Sequence, residues 1–176
     1  MVKIAKFFLY LLFFIGMLLF FLPKENLFYL LEQELSQKEI FISHESIKER
    51  SFGLQLKHAT ISYEGIEAAA IKKTDVVFLL FYNEVTLNNI ELSSLVSNYW
   101  PQKIALCKVN YSLLHPLLIK AVAKGLFGEI DAEYALDKGE LKVLLRPSKL
   151  LLKNYRSSLR YFKKLKNGEY SYEKSL

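Results

Sequence analysis

The 176-residue sequence is 52% hydrophobic and 24% charged with only 7 Gly and 4 Pro, which excludes a disordered or low-complexity chain. Its single cysteine, Cys107, excludes an intramolecular disulfide and any multi-cysteine metal site, and histidines at 44, 58 and 115 are too scattered to form a local ligand motif. The length suits one ordinary domain with an appendage.

The appendage comes first. Phe7 to Leu22 is an apolar run without a charge, built on Phe7, Phe8, Leu11, Leu12, Phe14, Ile15, Leu18, Leu19, Phe21 and Leu22. Val2 to Ala5 add apolar length and Lys6 can snorkel toward headgroups, so the segment is long enough to span a bilayer. It ends Leu22-Pro23-Lys24 with no small-residue cleavage triplet, which predicts an uncleaved signal anchor. A buried hairpin helix is the alternative, and it would bury more Phe and Leu than so short a chain can cover. Lys3 and Lys6 precede the run, whereas Lys24, Glu25, Glu32 and Glu34 follow it. That bias predicts a single-pass membrane protein with its N-terminus cytoplasmic and the residues after about 23 outside. Three regions result: residues 1–22 as tip and anchor, 23–37 as a juxtamembrane amphipathic helix, and 38–176 as one β-rich domain.

Pro23 suits a helix start, and Leu27, Phe28, Leu30, Leu31 and Leu35 recur at helical spacing as far as Ser36. The period then changes to two. Glu39 to Ile47 reads as a short strand, and Gly53 to Tyr63 as a second whose phase slips at Lys57-His58, where a bulge is expected. Ile66 to Ile71, the apolar run Asp75 to Tyr82, Val85 to Leu92 with a slip at Asn88-Asn89, and Ile104 to Tyr111 continue the series. Leu117, Leu118, Ala121 and Val122 after Pro116 predict a helix over 113–124, with Gly125 as its C′ residue. Ile130, Ala132, Tyr134 and Leu136, then the turn Asp137-Lys138-Gly139, then Leu141, Val143 and Leu145 predict a β-hairpin. Leu151, Tyr155, Leu159 and Phe162 predict an amphipathic helix from Ser148 to Lys166, and Glu169 to Glu173 a last strand. The expected fold is α+β and mainly β: an antiparallel, curved sheet with two covering helices behind a transmembrane helix.

Charge is unevenly spread. Residues 23–142 carry 13 basic and 16 acidic side chains, whereas residues 143–176 carry 9 and 2. Lys149, Lys153, Arg156, Arg160, Lys163, Lys164 and Lys166 therefore form a candidate partner or anionic-lipid surface, against the plainer reading of a solvated helix face. Nucleic acid is not expected as a partner, since no aromatic-interleaved binding motif accompanies these cations.

Catalytic signals are weak. Ser43-His44-Glu45 supplies the residue types of a triad, but neighbours along a strand point to opposite faces. Cys107 reads as a small apolar filler, and Glu129, Asp131 and Glu133 as the solvated side of the hairpin. No phosphate-binding glycine loop, HExxH or CxxC occurs, so a non-enzymatic protein without cofactor or metal is expected.

The order of anchor, amphipathic helix opening Leu22-Pro23, and Ser46 to Tyr63 with its Gly53-Leu54-Gln55-Leu56-Lys57-His58-Ala59 step resembles the opening of AsmA-like and type II secretion protein N sequences. Thr86-Leu87-Asn88-Asn89-Ile90-Glu91-Leu92 is similar to the strand that follows in those families. Gly125-Leu126-Phe127-Gly128, Gly139-Glu140-Leu141, Arg146-Pro147-Ser148 and Gly168-Glu169-Tyr170-Ser171-Tyr172 resemble the layout of protein N in particular. The resemblance implies a structural or assembly component of a type II secretion or related pilus or DNA-uptake machinery, with envelope proteins as partners. The alternative it implies is an AsmA-like module that binds or transports phospholipid. It carries over no catalytic residue.

Overall fold

The computed structural model describes residues 2–97 and 99–175. It begins with helix α1 (Val2–Phe21), whose side chains are largely exposed, and α2 (Lys24–Ser36). Helix α1 is long and apolar enough to cross a membrane. Pro23, extended at φ −72° and ψ 97°, is the N-cap of α2 and separates the two. The last carbonyls of a helix need partners from outside it. Here buried Lys24 partners one of them, its Nζ donating to Phe20 O at 3.0 Å and, just past the helix, to Leu22 O at 2.9 Å. A cation at a helix C-terminus also complements the macrodipole. The junction is tied to the sheet by Glu25 N, which donates to Glu49 Oε1 at 2.8 Å, and by the Phe20 ring, 6.0 Å from that of Phe52.

All the strands after α2 belong to one open antiparallel sheet. Its strands are β1 (Ile40–Ser43), β2 (Ser46–Arg50), β3 (Gly53–Tyr63), β4 (Ile66–Phe78), β5 (Tyr82–Leu92), β6 (Lys103–Ser112), β7 (Leu118–Gly125), β8 (Gly128–Ala135), β9 (Glu140–Pro147), β10 (Lys163–Lys164) and β11 (Tyr170–Ser175). From β3 to β9 they form a simple meander, β11 pairs with β9, and β1 and β2 lie end to end along β3. A short helix α3 (Ser94–Ser97) follows β5, and α4 (Lys149–Asn154) with a 3-10 helix at Arg156–Tyr161 follows β9.

The phase slips at Lys57-His58 and Asn88-Asn89 prove to lie in one row across the sheet, with Lys72 of β4 between them. His58 and Asn89 adopt left-handed φ of 58° and 53°, yet the pairing register is the same on both sides of each. Unpaired His44 and Glu45, then His58, Lys72, Asn89 and Ala105, form one transverse crease across successive strands. The inward apolar set steps by three residues there instead of two: Leu56 to Ala59, Ile71 to Thr74, Leu87 to Ile90, Ile104 to Cys107. Without that step, period-two alternation would turn half of each strand inside out. The bulge that shifts register between β3 and β4 lies elsewhere, at Ile61/Ser62.

Several elements differ from expectation. The helix over 113–124 is instead a turn followed by β7, because Ile119, Ala121 and Ala123 also alternate at a period of two, in competition with the helical spacing of Leu117, Leu118, Ala121 and Val122, and both β6 and β8 offer pairing edges. Gly125 therefore caps no helix; a Cβ there would lie 2.8 Å from Lys103 O, so glycine permits the close approach of β6. The helix expected from Ser148 to Lys166 breaks at Tyr155 (φ −127°, ψ 31°) into α4, the 3-10 helix and β10. Ile66 to Phe78 is one strand in place of the two expected segments, and Glu39 to Ile47 divides at His44, whose φ is 62°.

Candidate functional site

Directly opposed residues in an antiparallel sheet share a face. From Val85 the ladder therefore carries one apolar face through Val109, Ala121, Ala132 and Val143 to Tyr172, and a parallel row through Leu87, Cys107, Ala123, Ile130, Leu145 and Tyr170. The face extends into Leu54, Leu56 and Val76 beside it. A continuous apolar surface of this kind must be covered, or it remains available for binding.

Two covers lie on it, at diagonally opposite corners. Phe28 of α2 packs against Leu54 and Leu56, with Ile42, Ile47, Val76 and Phe78 around them. Between α2 and the sheet there remains an apolar cavity of about 230 Å³, reached by Leu27 and Leu31 from above and Val85 and Leu87 from below. At the other corner Phe127, Leu145, Leu151 and Leu159 are buried together, with Trp100, Tyr155, Phe162 and Tyr170 against them. Ser148 anchors this cover: its hydroxyl donates to Leu126 O at 2.6 Å and accepts from Leu151 N at 3.1 Å as the N-cap of α4.

Between the covers the face is only half-buried. Val85, Leu87, Cys107, Val109, Ile119, Ala121, Ala132, Tyr134, Leu141 and Val143 all retain partial solvent access. Burial raises the pKa of the Cys107 thiol, as expected for a thiol set among apolar neighbours. This open trough, floored by β5 to β9, is the candidate site.

The outer face is chemically different. Arg50 and Lys73 pair with Asp75, Lys108 with Glu84, Lys120 with Glu133, and Arg146 with Asp131 and Glu169. Burial works against ionised Asp75, but hydrogen bonds from Lys73 and from Gln55 Nε2, at 2.7 Å, hold its pKa below the ordinary value. The hydrogen bond from Tyr82, aided by Lys108, does the same for Glu84. Both carboxylates thus stabilise the fold above the pKa they have when unfolded, and the contribution fades as pH falls through the lower folded values. Melting temperature is expected to decline below about pH 4. Asp75→Asn should lower it at pH 7 and narrow the gap to the unaltered chain at pH 3. Thermal melting across that range is the check; an equal gap at both values would exclude a stabilising charge on Asp75.

The sequence-predicted residues separate into distinct regions. The anchor set lies on α1, apart from Leu22 just beyond it, and Phe7, Phe8, Leu12 and Phe14 each expose more than half of their surface. The basic set lies on the broken segment after β9 and not on one helix face; all seven cations are exposed, and none forms a salt bridge among the described residues. Ser43 ends β1 and His44 is exposed at the crease. The trough residues were visible as strand alternation, but nothing in one strand's pattern tells which part of a face its neighbours leave bare.

Fold and site together define an apolar N-terminal helix carrying an open antiparallel sheet with a partly covered apolar face. No family model, curated protein or solved structure matches the chain. The functional reading therefore rests on the geometry.

Proposed function

We propose that the chain is a membrane-anchored, non-catalytic component of the cell envelope whose half-covered sheet face receives the acyl chains of phospholipid. Helix α1 would hold it in the inner membrane with a cytoplasmic N-terminus and a periplasmic sheet. The observation that carries the reading is the trough itself: an apolar surface continuous from β5 to β9, bounded by two packed covers and left half-exposed between them. Its floor offers mainly aliphatic and small side chains, with Tyr134 among them and no charge, the chemistry that accepts hydrocarbon without orienting a reacting group.

The test places a photo-crosslinking amino acid at Ala121, on the trough floor, or at Lys120, on the outer face, in the full chain in its membrane. Phospholipid is expected to be captured from Ala121 and not from Lys120. Equal capture from both, or none from either, would defeat the proposal.

A role in a secretion or pilus assembly is the second reading, supported by the seven exposed cations of the segment after β9, which form no salt bridge among the described residues. The sheet edges favour it less: β1 and β2 are short and interrupted at His44, β2 is charged, and β10 is two lysines long, features that discourage strand addition. Capture of a protein in place of lipid from Ala121 would favour this second reading.

A further inference from the structure

We infer that the turns at one end of the sheet form a rim that seats in the bilayer leaflet at which α1 ends, so that the trough opens onto the membrane surface. The inference rests on α1 spanning the membrane and not on the trough holding lipid.

Strand direction brings four turns to this end: 51–52 between β2 and β3, 79–81 between β4 and β5, 113–117 between β6 and β7, and 136–139 between β8 and β9. The pairs Gly53↔Val77, Phe78↔Asn83, Tyr82↔Ser112 and Leu118↔Ala135 run beside them and keep them in line. Surface turns are ordinarily polar. The first three here read Ser-Phe, Leu-Leu-Phe and Leu-Leu-His-Pro-Leu, with no Asp, Glu, Lys or Arg. Phe81 and Leu117 are each 55% exposed and Leu114 is 78% exposed. Exposed apolar side chains also occur at the opposite end, where Tyr99 lies, but there they stand among serines and beside the basic segment.

Two further features fit a lipid surface better than a protein partner. The first is continuity with α1: the ring of Phe52 in its turn packs edge-on against Phe20, one residue from the end of the apolar helix, so this end of the sheet starts at the interface that α1 reaches. The second concerns the backbone. Irregular chain near hydrocarbon must satisfy its own polar groups. Adjacent rim turns do so for one another. Phe78 N donates to Phe52 O at 2.7 Å, Leu113 N to Phe81 O at 3.1 Å, and Leu136 N to Leu117 O at 2.9 Å. Ser112 Oγ adds a second bond to Phe81 O. The rim thus presents side chains outward with much of its backbone already paired. Seated in this way, the basic segment after β9 stands at the opposite end of the strands, on the order of 25 Å from the rim for an eight-residue strand.

The test uses the full chain with Cys107→Ala and one new cysteine, at Phe81, Leu114, Tyr99 or Lys153, carrying an environment-sensitive fluorophore. Reconstituted in phosphatidylcholine nanodiscs containing chain-brominated lipid, the labels at 81 and 114 should lose most of their emission to the brominated chains and little to aqueous iodide. Those at 99 and 153 should do the reverse. Because Leu114 is so exposed, its label displaces nothing from the core. The proposal is overturned if the labels at 81 and 114 are as open to iodide as that at 99. It is equally overturned if the brominated lipid reaches only the label at 153, which would make the basic segment the docking surface. Acyl-chain capture from Ala121 is read separately, so failure of either idea leaves the other standing or falling on its own result.

Discussion

Gly128→Ala is expected to prevent the carboxyl-terminal half of the sheet from reaching its native packing, at a cost above about 4 kcal/mol, whereas Gly65→Ala should cost only about 1–2 kcal/mol. Both glycines have positive φ, 115° and 76°, so both substitutions meet the backbone penalty of an L side chain. Only one meets a wall. A Cβ on Gly128 would stand 2.1 Å from Arg146 O and 2.8 Å from Ser148 N, and backbone atoms in a ladder cannot swing aside as a side-chain tip can; around Gly65 nothing lies within 4 Å. The obstruction falls at a junction that matters. Ser148 N donates to Phe127 O at 2.7 Å, next to the ring that fills the core of the second cover. Forcing β8 away from β9 there would loosen Phe127 and the start of α4 together. Chemical denaturation of the detergent-solubilised chain checks the pair, and equal midpoints for the two variants would exclude the steric account.

How much of this was readable beforehand depends on whether the relevant physics is local. The hairpin of β8 and β9 was legible because period-two alternation, a Gly-containing turn and complementary charges all act within twenty residues. Leu151, Tyr155, Leu159 and Phe162, the apolar stripe of the expected amphipathic helix, all pack in the second core, but the continuous helix inferred from their spacing breaks at Tyr155. Spacing reports which side chains are inside, and a short α-helix followed by a 3-10 turn presents nearly the same set. At β7 the local signal favoured a helix, since alanine is a strong helix former and is depleted in strands, and the deciding factor was tertiary: two neighbouring strands with unpaired edges. The crease was half visible. Each phase slip showed in its own strand, yet only the pairing register discloses that His58, Lys72, Asn89 and Ala105 fall in one row. The trough was the least legible feature, because bareness is a property of what the covers fail to reach.

That bareness makes a quantitative demand. Leu151→Ala and Leu141→Ala remove the same atoms from the same apolar side of the sheet and should differ several-fold in cost. Leu151 is fully buried among Phe127, Leu145 and Leu159, so its truncation forfeits transfer energy and leaves a cavity, about 2–5 kcal/mol together. Leu141 faces Tyr134 on one side and Lys174 on the other and is only half-buried on the open part of the face, so no closed void forms and about 1 kcal/mol is expected. Denaturant midpoints at unchanged slope measure both. Comparable losses at the two positions would mean that the middle of the face is packed as tightly as its corners, leaving no room for a hydrocarbon chain. A small loss at Leu141 together with weaker lipid capture from Ala121 in the same variant would instead tie the missing contacts to an external ligand. Stability and capture then move separately, because the contacts that Leu141 gives up belong to the ligand and not to the fold.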